Sequence, residues 1–171
     1  MNDVVYVHPT ARFDSLYRPV VILQPPHGRE GSAQRGIFEC MSLKLDIGRT
    51  YSSQTRVEEW MTAQQAGNQG VDVLSTPMLL QLIEEAAMHC VAPTLSAAEV
   101  TLATHIDLEH HKPTPVGFIV RTEVEVISID GPRIAFAVQV FDEQENVAEG
   151  THERFIIQRS KFLEKLDDKL A

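Results

Sequence analysis

The sequence predicts an α+β fold in which a curved antiparallel sheet wraps one long helix. Three observations carry this. One stretch, from Ser75 to Pro93, reads as a helix with both ends marked. After about residue 98 the hydrophobic pattern changes to period two and stays there to about residue 159. Tight turn signals separate the strands of that second half, so neighbouring strands run antiparallel.

Taken in order, the chain starts with its least regular part. Val4 to Val7 and Val20 to Leu23 suit short strands, set among turn signals such as Gln24-Pro25-Pro26-His27-Gly28. Residues 1 to 36 are expected to form an N-terminal extension outside the core, with the domain itself running from 37 to 162 and a charged tail over 163–171. From Ile37 to Ile47, Met41, Leu43, Leu45 and Ile47 alternate with Ser42, Lys44 and Asp46, the pattern of a half-buried strand. Gly48-Arg49 is a turn, Gln54 to Thr62 suits a second strand, and Gln64 to Gly70 is a polar loop.

The helix follows. Thr76 suits its N-cap, Pro77 its first position, and Pro93 stops it. At about 100° per residue, Gln81, Glu85 and His89 make one narrow polar stripe. Leu79, Leu80, Leu82, Ile83, Ala86, Ala87, Cys90 and Val91 make the other faces apolar. Such a helix is expected to be buried on nearly all sides, by the sheet and by a partner subunit. Glu84 projects outside the stripe, beside Leu80, Met88 and Val91. A carboxylate there needs a partner or a function, unless it sits at the stripe's edge in solvent.

In the strands beyond, Leu102, Thr104, Ile106 and Leu108 alternate with Ala103, His105, Asp107 and Glu109. Val120, Val124 and Val126 share one face of the run from Val116 to Ser128, and Asp130-Gly131-Pro132 turns it back into Arg133 to Phe141. That strand carries Ile134, Phe136, Val138 and Val140 inward. Asp142 to Asn146 is a polar turn, Val147 to Arg159 the last strand, and Lys161 to Ala171 a charged, weakly helical tail.

Composition bounds the function. A chain of 171 residues, 43% hydrophobic and 23% charged, is that of an ordinary globular domain with a core of its own. A net charge of −9 argues against a general nucleic-acid binder. No apolar run is long enough to span a bilayer, and Met1 to Pro9 lacks the basic-then-apolar pattern of a secretory signal, so a cytoplasmic protein is expected. Cys40 and Cys90 are too few for a disulfide framework or zinc knuckle, and Cys90 is expected to pack as a small hydrophobe.

Three residues are candidates for chemistry. The Thr76 hydroxyl sits at the positive end of the helix, suited either to cap it or to face a ligand whose carbonyl the helix N-terminus polarises. Glu84, in apolar surroundings, suits proton transfer or attack on an acyl carbon. In the pair His110-His111, strand parity places His110 with Ile106 and Leu108 toward the helix and His111 away. Alternate residues His105, Asp107, Glu109 and His111 share a face, but strand neighbours two apart diverge and no second cluster completes a shell. No metal or other cofactor is expected, and those residues read as a solvated outer face. Thr76 and Glu84 lie eight residues apart on one helix, about 12 Å along its axis, so a centre using both has the substrate lying along the helix or draws them from two subunits.

Three spaced motifs resemble the fluoroacetyl-CoA thioesterase group of hotdog-fold acyl-CoA thioesterases: Val73-Leu74-Ser75-Thr76-Pro77-Met78 with Glu84 following, His110-His111-Lys112-Pro113-Thr114-Pro115-Val116-Gly117, and Gly150-Thr151-His152-Glu153-Arg154-Phe155. The resemblance spans roughly residues 37 to 162. It implies a hotdog fold and a catalytic set of Thr76, Glu84 and His110, with Ala103, Pro77 and Gly117 at the substrate. It implies an acyl-CoA substrate and a homodimer, or a tetramer of such dimers, with no nucleic acid or membrane as partner. Ala103 departs from the glycine usual in that family seven residues before the histidine, which points to a reshaped acyl pocket and away from fluoroacetyl-CoA itself. The third motif reads as structural, with Gly150 permitting a bulge or close packing and Glu153 and Arg154 stabilising strand edges or the dimer. A hotdog enoyl-CoA hydratase and a non-catalytic acyl-CoA-binding protein are the rival readings.

Overall fold

The computed structural model describes residues 44–170, and the expected strands at Val4 to Val7 and Val20 to Leu23 lie outside them. Five strands form one antiparallel sheet: β1 (Thr50–Arg56), β2 (Glu99–His110), β3 (Ile119–Asp130), β4 (Arg133–Phe141) and β5 (Asn146–Gln158). Their order across the sheet is β1-β3-β4-β5-β2. The long helix α1 (Thr76–Val91) connects β1 to β2 and packs mainly on β3 and β1. A second helix, α2 (Arg159–Leu170), ends the described chain. No helix among the described residues is long and apolar enough to cross a membrane.

The core is the meeting of α1 with the inner faces of β3, β4 and β5. Leu79, Ile83, Ala86, Ala87, Cys90 and Val91 of α1 are buried against Val120, Val124, Val126, Ile134, Phe136, Val138 and Val140. Small residues on the helix let it lie close to a sheet lined with β-branched side chains. Cys90 packs among them as expected, and burial raises its thiol pKa.

The first strand differs from expectation. Residues Lys44 to Arg49 form no strand, Ile47 is exposed, and the part of Ile37–Ile47 before Lys44 lies outside the described residues. The strand is Thr50–Arg56, and the expected strand at Gln54 to Thr62 breaks into a short 3-10 turn at Glu59–Met61. Over Lys44 to Ile47 the alternation has no strand beside it to pair with, whereas Thr50–Arg56 pairs along its length with Ile119 to Glu125. The tail is a helix without buried residues, with Phe162, Leu163 and Leu166 partly exposed.

The α1 helix is buried on one side only within a single chain. Thr76, Pro77, Gln81, Glu84, Glu85, Met88 and His89 are all exposed, so the bare face is far wider than the expected three-residue stripe.

The pairing of β2 with β5 sets the geometry around the helix. A bulge between Ala103 and His105 leaves Thr104 without an opposite residue. The expected single alternation along β2 therefore breaks. Before the bulge Thr101 faces inward and Leu102 is 40% exposed; after it Ile106, Leu108 and His110 face inward. Opposite Leu108 lies Gly150, where an added Cβ would fall 2.0 Å from the Asp107 carbonyl oxygen. Close packing, rather than a bulge of its own, explains that glycine.

Gly150→Ala is expected to lower unfolding free energy by about 3 kcal/mol, because main chain and not a flexible side chain blocks the methyl group. Urea denaturation followed by circular dichroism checks this; an unchanged midpoint would mean that β2 moves off β5 at little cost.

Candidate active site

The site begins where α1 begins. Ser75, not Thr76, caps the helix: its Oγ accepts from the Met78 N–H at 3.4 Å. Ser75 is buried, its N–H donates to the Met61 carbonyl, and the Leu74 N–H donates to the Thr114 carbonyl at 2.8 Å. Two adjacent residues could both cap, and the preference of proline for the first helical position favoured Thr76. Anchoring of Ser75 on both sides decides it, and Pro77 takes the second position, where its lack of an N–H costs no helix bond. Pro77 has no N–H, Met78 gives its own to Ser75, and Leu79 bonds the Ser75 carbonyl at 2.9 Å. Thr76 thus supplies the remaining main-chain donor of the first turn.

Relieved of capping, the Thr76 Oγ1 lies 2.9 Å from His110 Nδ1. His110 is the last residue of β2, on the inner face as parity predicts, while the exposed His111 turns outward to the Asn146 carbonyl. Burial lowers the His110 pKa below 6.5, opposed by the Lys112 main chain and reinforced by His111. At neutral pH the ring is an uncharged imidazole. Its Nε2 is buried without a hydrogen-bond partner among the described residues, as is the Thr114 hydroxyl.

Glu84 has a partner that the sequence did not reveal. Its side chain is 47% exposed, so it is not buried, and its Oε2 lies 3.7 Å from Nη1 of Arg154. Arg154 itself is 4% exposed. Its Nε and Nη2 donate to Thr101 Oγ1 and the Thr101 carbonyl, both at 2.9 Å. Nη1 also approaches the Glu84 carbonyl and His152 Nε2, each at 3.4 Å. His152 is fully buried, stacks on Phe136, and bonds the His105 carbonyl through Nδ1 at 3.1 Å. Burial lowers the His152 pKa, with the Arg154 charge acting the same way and the His105 carbonyl and Glu84 opposing. Burial also lowers that of Arg154, against the pull of Glu84. A strand-edge role for Arg154 is therefore replaced by an interior one. The legible signal was parity: Arg154 and His152 stand two and four residues from Ile156, and Gly150 and Ala148 continue the inner row. Glu153 points the other way and pairs with Arg133 at 3.8 Å.

An open groove of about 310 Å³ runs along the bare side of α1, lined by Pro77, Leu80, Gln81, Glu84, Met88 and Arg154. The structure thus brings together Thr76 with His110, and Pro77 with Glu84. Ala103 is opposite Arg154 in the β2–β5 ladder, just before the bulge. Gly117 is apart from this groove: at φ +91° it turns the chain into β3, donating its N–H to the Val57 carbonyl and accepting from Arg56. His105, Asp107 and Glu109 are exposed on the outer face.

Comparison with known proteins follows the same outline. Residues 57–160 match the family model described as fluoroacetyl-CoA-specific thioesterase, FlK. The chain is 34% identical over 98 residues to the fluoroacetyl-CoA thioesterase of Streptantibioticus cattleyicolor, spanning 57% of this chain and 70% of that protein. A solved structure of the fluoroacetyl-CoA thioesterase FlK superposes with a TM-score of 0.70 at 27% identity, covering 74% of this chain and 98% of that one. A hot-dog-like protein from Thermanaerovibrio acidaminovorans shares the fold at 18% identity, with a TM-score of 0.69 over 73% of this chain and 93% of its own. The sheet curved about α1 is a hotdog fold, and the chain belongs to the fluoroacetyl-CoA-specific thioesterase family.

Proposed function

We propose that this chain hydrolyses an acyl-CoA thioester to a carboxylate and free CoA, using Thr76, Glu84 and His110 in a homodimer. The observation that carries the site assignment is the 2.9 Å contact of Thr76 Oγ1 with His110 Nδ1 at the mouth of α1. A threonine released from capping and a neutral histidine with a buried, unpartnered Nε2 suit proton delivery better than structural support.

With the Thr76 hydroxyl donating to Nδ1, the ring proton is on Nε2. The Glu84 carboxylate removes a proton from water, whose oxygen bonds the acyl carbon as the carbonyl electrons move to oxygen. The Thr76 main-chain N–H steadies that oxyanion. Collapse breaks the C–S bond; the departing sulfur takes the proton from Nε2 of His110 as Nδ1 takes that of the Thr76 hydroxyl, and the proton Glu84 took from water returns through solvent to the histidine–threonine pair. Direct attack by Glu84 on the acyl carbon, with later hydrolysis of the anhydride, uses the same residues.

Two features support a dimer. The bare face of α1 carries the 41%-exposed Met88 together with Glu84, and β2 is a twelve-residue strand at the sheet edge. A long unpaired edge beside a bare helix face invites a second copy. The axial separation of Thr76 and Glu84 fits a site shared between subunits. Cytoplasmic residence, and pairing of dimers into tetramers, complete the reading.

Wild-type protein is expected to hydrolyse members of a panel of acyl-CoA esters, followed by thiol release, and Glu84→Ala to lose about 10³-fold in kcat. Equal rates would remove Glu84 from the mechanism; hydration of an enoyl-CoA without thiol release would favour the hydratase, and CoA-ester binding without turnover the binding protein. Sedimentation is expected to give at least twice the 19.1 kDa chain mass, and a monomer would sink the shared-site reading.

Activity should fall as pH drops through the folded pKa of His110, because protonation removes the acceptor for Thr76. Since burial places that pKa below 6.5, the acid limb of kcat/KM is expected below the range of a solvent-exposed histidine. A limb above pH 6.5 would contradict this. Ala103→Gly is expected to broaden the panel toward bulkier acyl groups; an unchanged profile would place the acyl chain elsewhere.

A further inference from the structure

We propose that Arg154 and His152 are positioning residues for Glu84, joined in a buried chain that runs from the main chain of β2 to the carboxylate. This rests on the reading of Glu84 as base or nucleophile.

A guanidinium that is 4% exposed is costly to bury unless its donors are used. Two of its nitrogens are held by one residue, Thr101, through side chain and main chain at 2.9 Å each. That bidentate grip fixes the plane of the fork. The third nitrogen, Nη1, is left turned toward α1, where it meets the carbonyl and the carboxylate of Glu84. Among the described residues, Glu84 supplies the only carboxylate paired with Arg154. The charge is thus anchored in the interior and delivered at the wall of the groove.

His152 holds the other side of Nη1. An arginine nitrogen only donates, so the His152 Nε2 at 3.4 Å accepts, and its proton is on Nδ1, directed to the His105 carbonyl at 3.1 Å. The ring stacks on Phe136, with centroids 6.1 Å apart and planes 26° from parallel. A neutral ring in this one tautomer satisfies both neighbours, whereas a proton on Nε2 would face the guanidinium. Oε2 of Glu84 is the oxygen so engaged, which leaves Oε1 for water or an acyl carbon.

The full-length chain tests this with acetyl-CoA and the panel above as probes. Arg154→Met is expected to lower kcat about 10- to 100-fold through misplacement of Glu84, with KM changed less than about threefold, and Arg154→Lys to recover part of the loss. In a Glu84→Gln background Arg154→Met should cost nothing further; an equal loss in both backgrounds overturns the proposal. If Arg154→Met does not fold, Arg154→Lys carries the same cycle. Independently of turnover, ¹⁵N spectra should show His152 protonated on Nδ1 alone, and a ring protonated on Nε2 overturns the chain. A wild type that hydrolyses no thioester counts against the activity, while the spectra still decide the buried chain.

Discussion

The register of β2 against β5 is the constraint on which the rest of the structure depends. Thr104 is an extra residue on β2, and it turns the last six residues of the strand over relative to the first five. Without it, the inward row beginning at Thr101 and Ala103 would continue through His105, Asp107 and Glu109, and three polar side chains would be driven under the helix. With it, Ile106, Leu108 and His110 go in. Gly150 permits this arrangement, because the Asp107 carbonyl occupies the space a Cβ needs. One added residue and one missing methyl group thus place Thr101 opposite Ile156, Ala103 opposite Arg154, and His110 at the mouth of α1.

The same constraint divides the inner surface into two kinds of environment. Over β3 and β4 it is apolar, and the helix packs mainly on β3 and β1. Along β5 and β2 it carries His152, Arg154, Thr101 and His110, and of these Arg154 reaches the wall of the groove beside the helix. The polar half is not a weakness of the core, because its members use one another. Thr101 serves Arg154, Arg154 serves Glu84 and His152, and His152 closes on a main-chain carbonyl. Polar groups that share partners in low dielectric hold each other in place more firmly than isolated pairs do.

Much of this was legible in the sequence, and the exceptions share a cause. Hydrophobic alternation marked β3, β4 and β5 because each has a neighbour on both sides and one buried face. It failed over Ile47, where no strand pairs, and at Leu102, where the bulge resets parity. His110 was found because parity was counted from Ile106 and Leu108, on the correct side of that bulge. Ser75 and Thr76 are equally good caps, and only the long-range bonds of Ser75 and Leu74 to Met61 and Thr114 separate them. Arg154 was passed over because charge on a strand usually means an outward face; its burial depends on Thr101, fifty-three residues away in sequence.

Glu84 makes its ion pair under conditions that change when the groove is covered. Arg154 is already dry, whereas the carboxylate is 47% exposed and shares its charge with water. An attraction of this kind, 3.7 Å long and open on one side, is worth little while solvent screens it. Its strength grows several-fold as the local dielectric falls. A substrate or second subunit lying over Pro77, Leu80 and Met88 would expel that water while leaving the buried cation where it is. Under the proposed mechanism the carboxylate would then be drawn to a fixed charge as its other oxygen is used. An anchored cation behind an exposed carboxylate therefore lets the free chain keep Glu84 soluble and lets the covered chain keep it still.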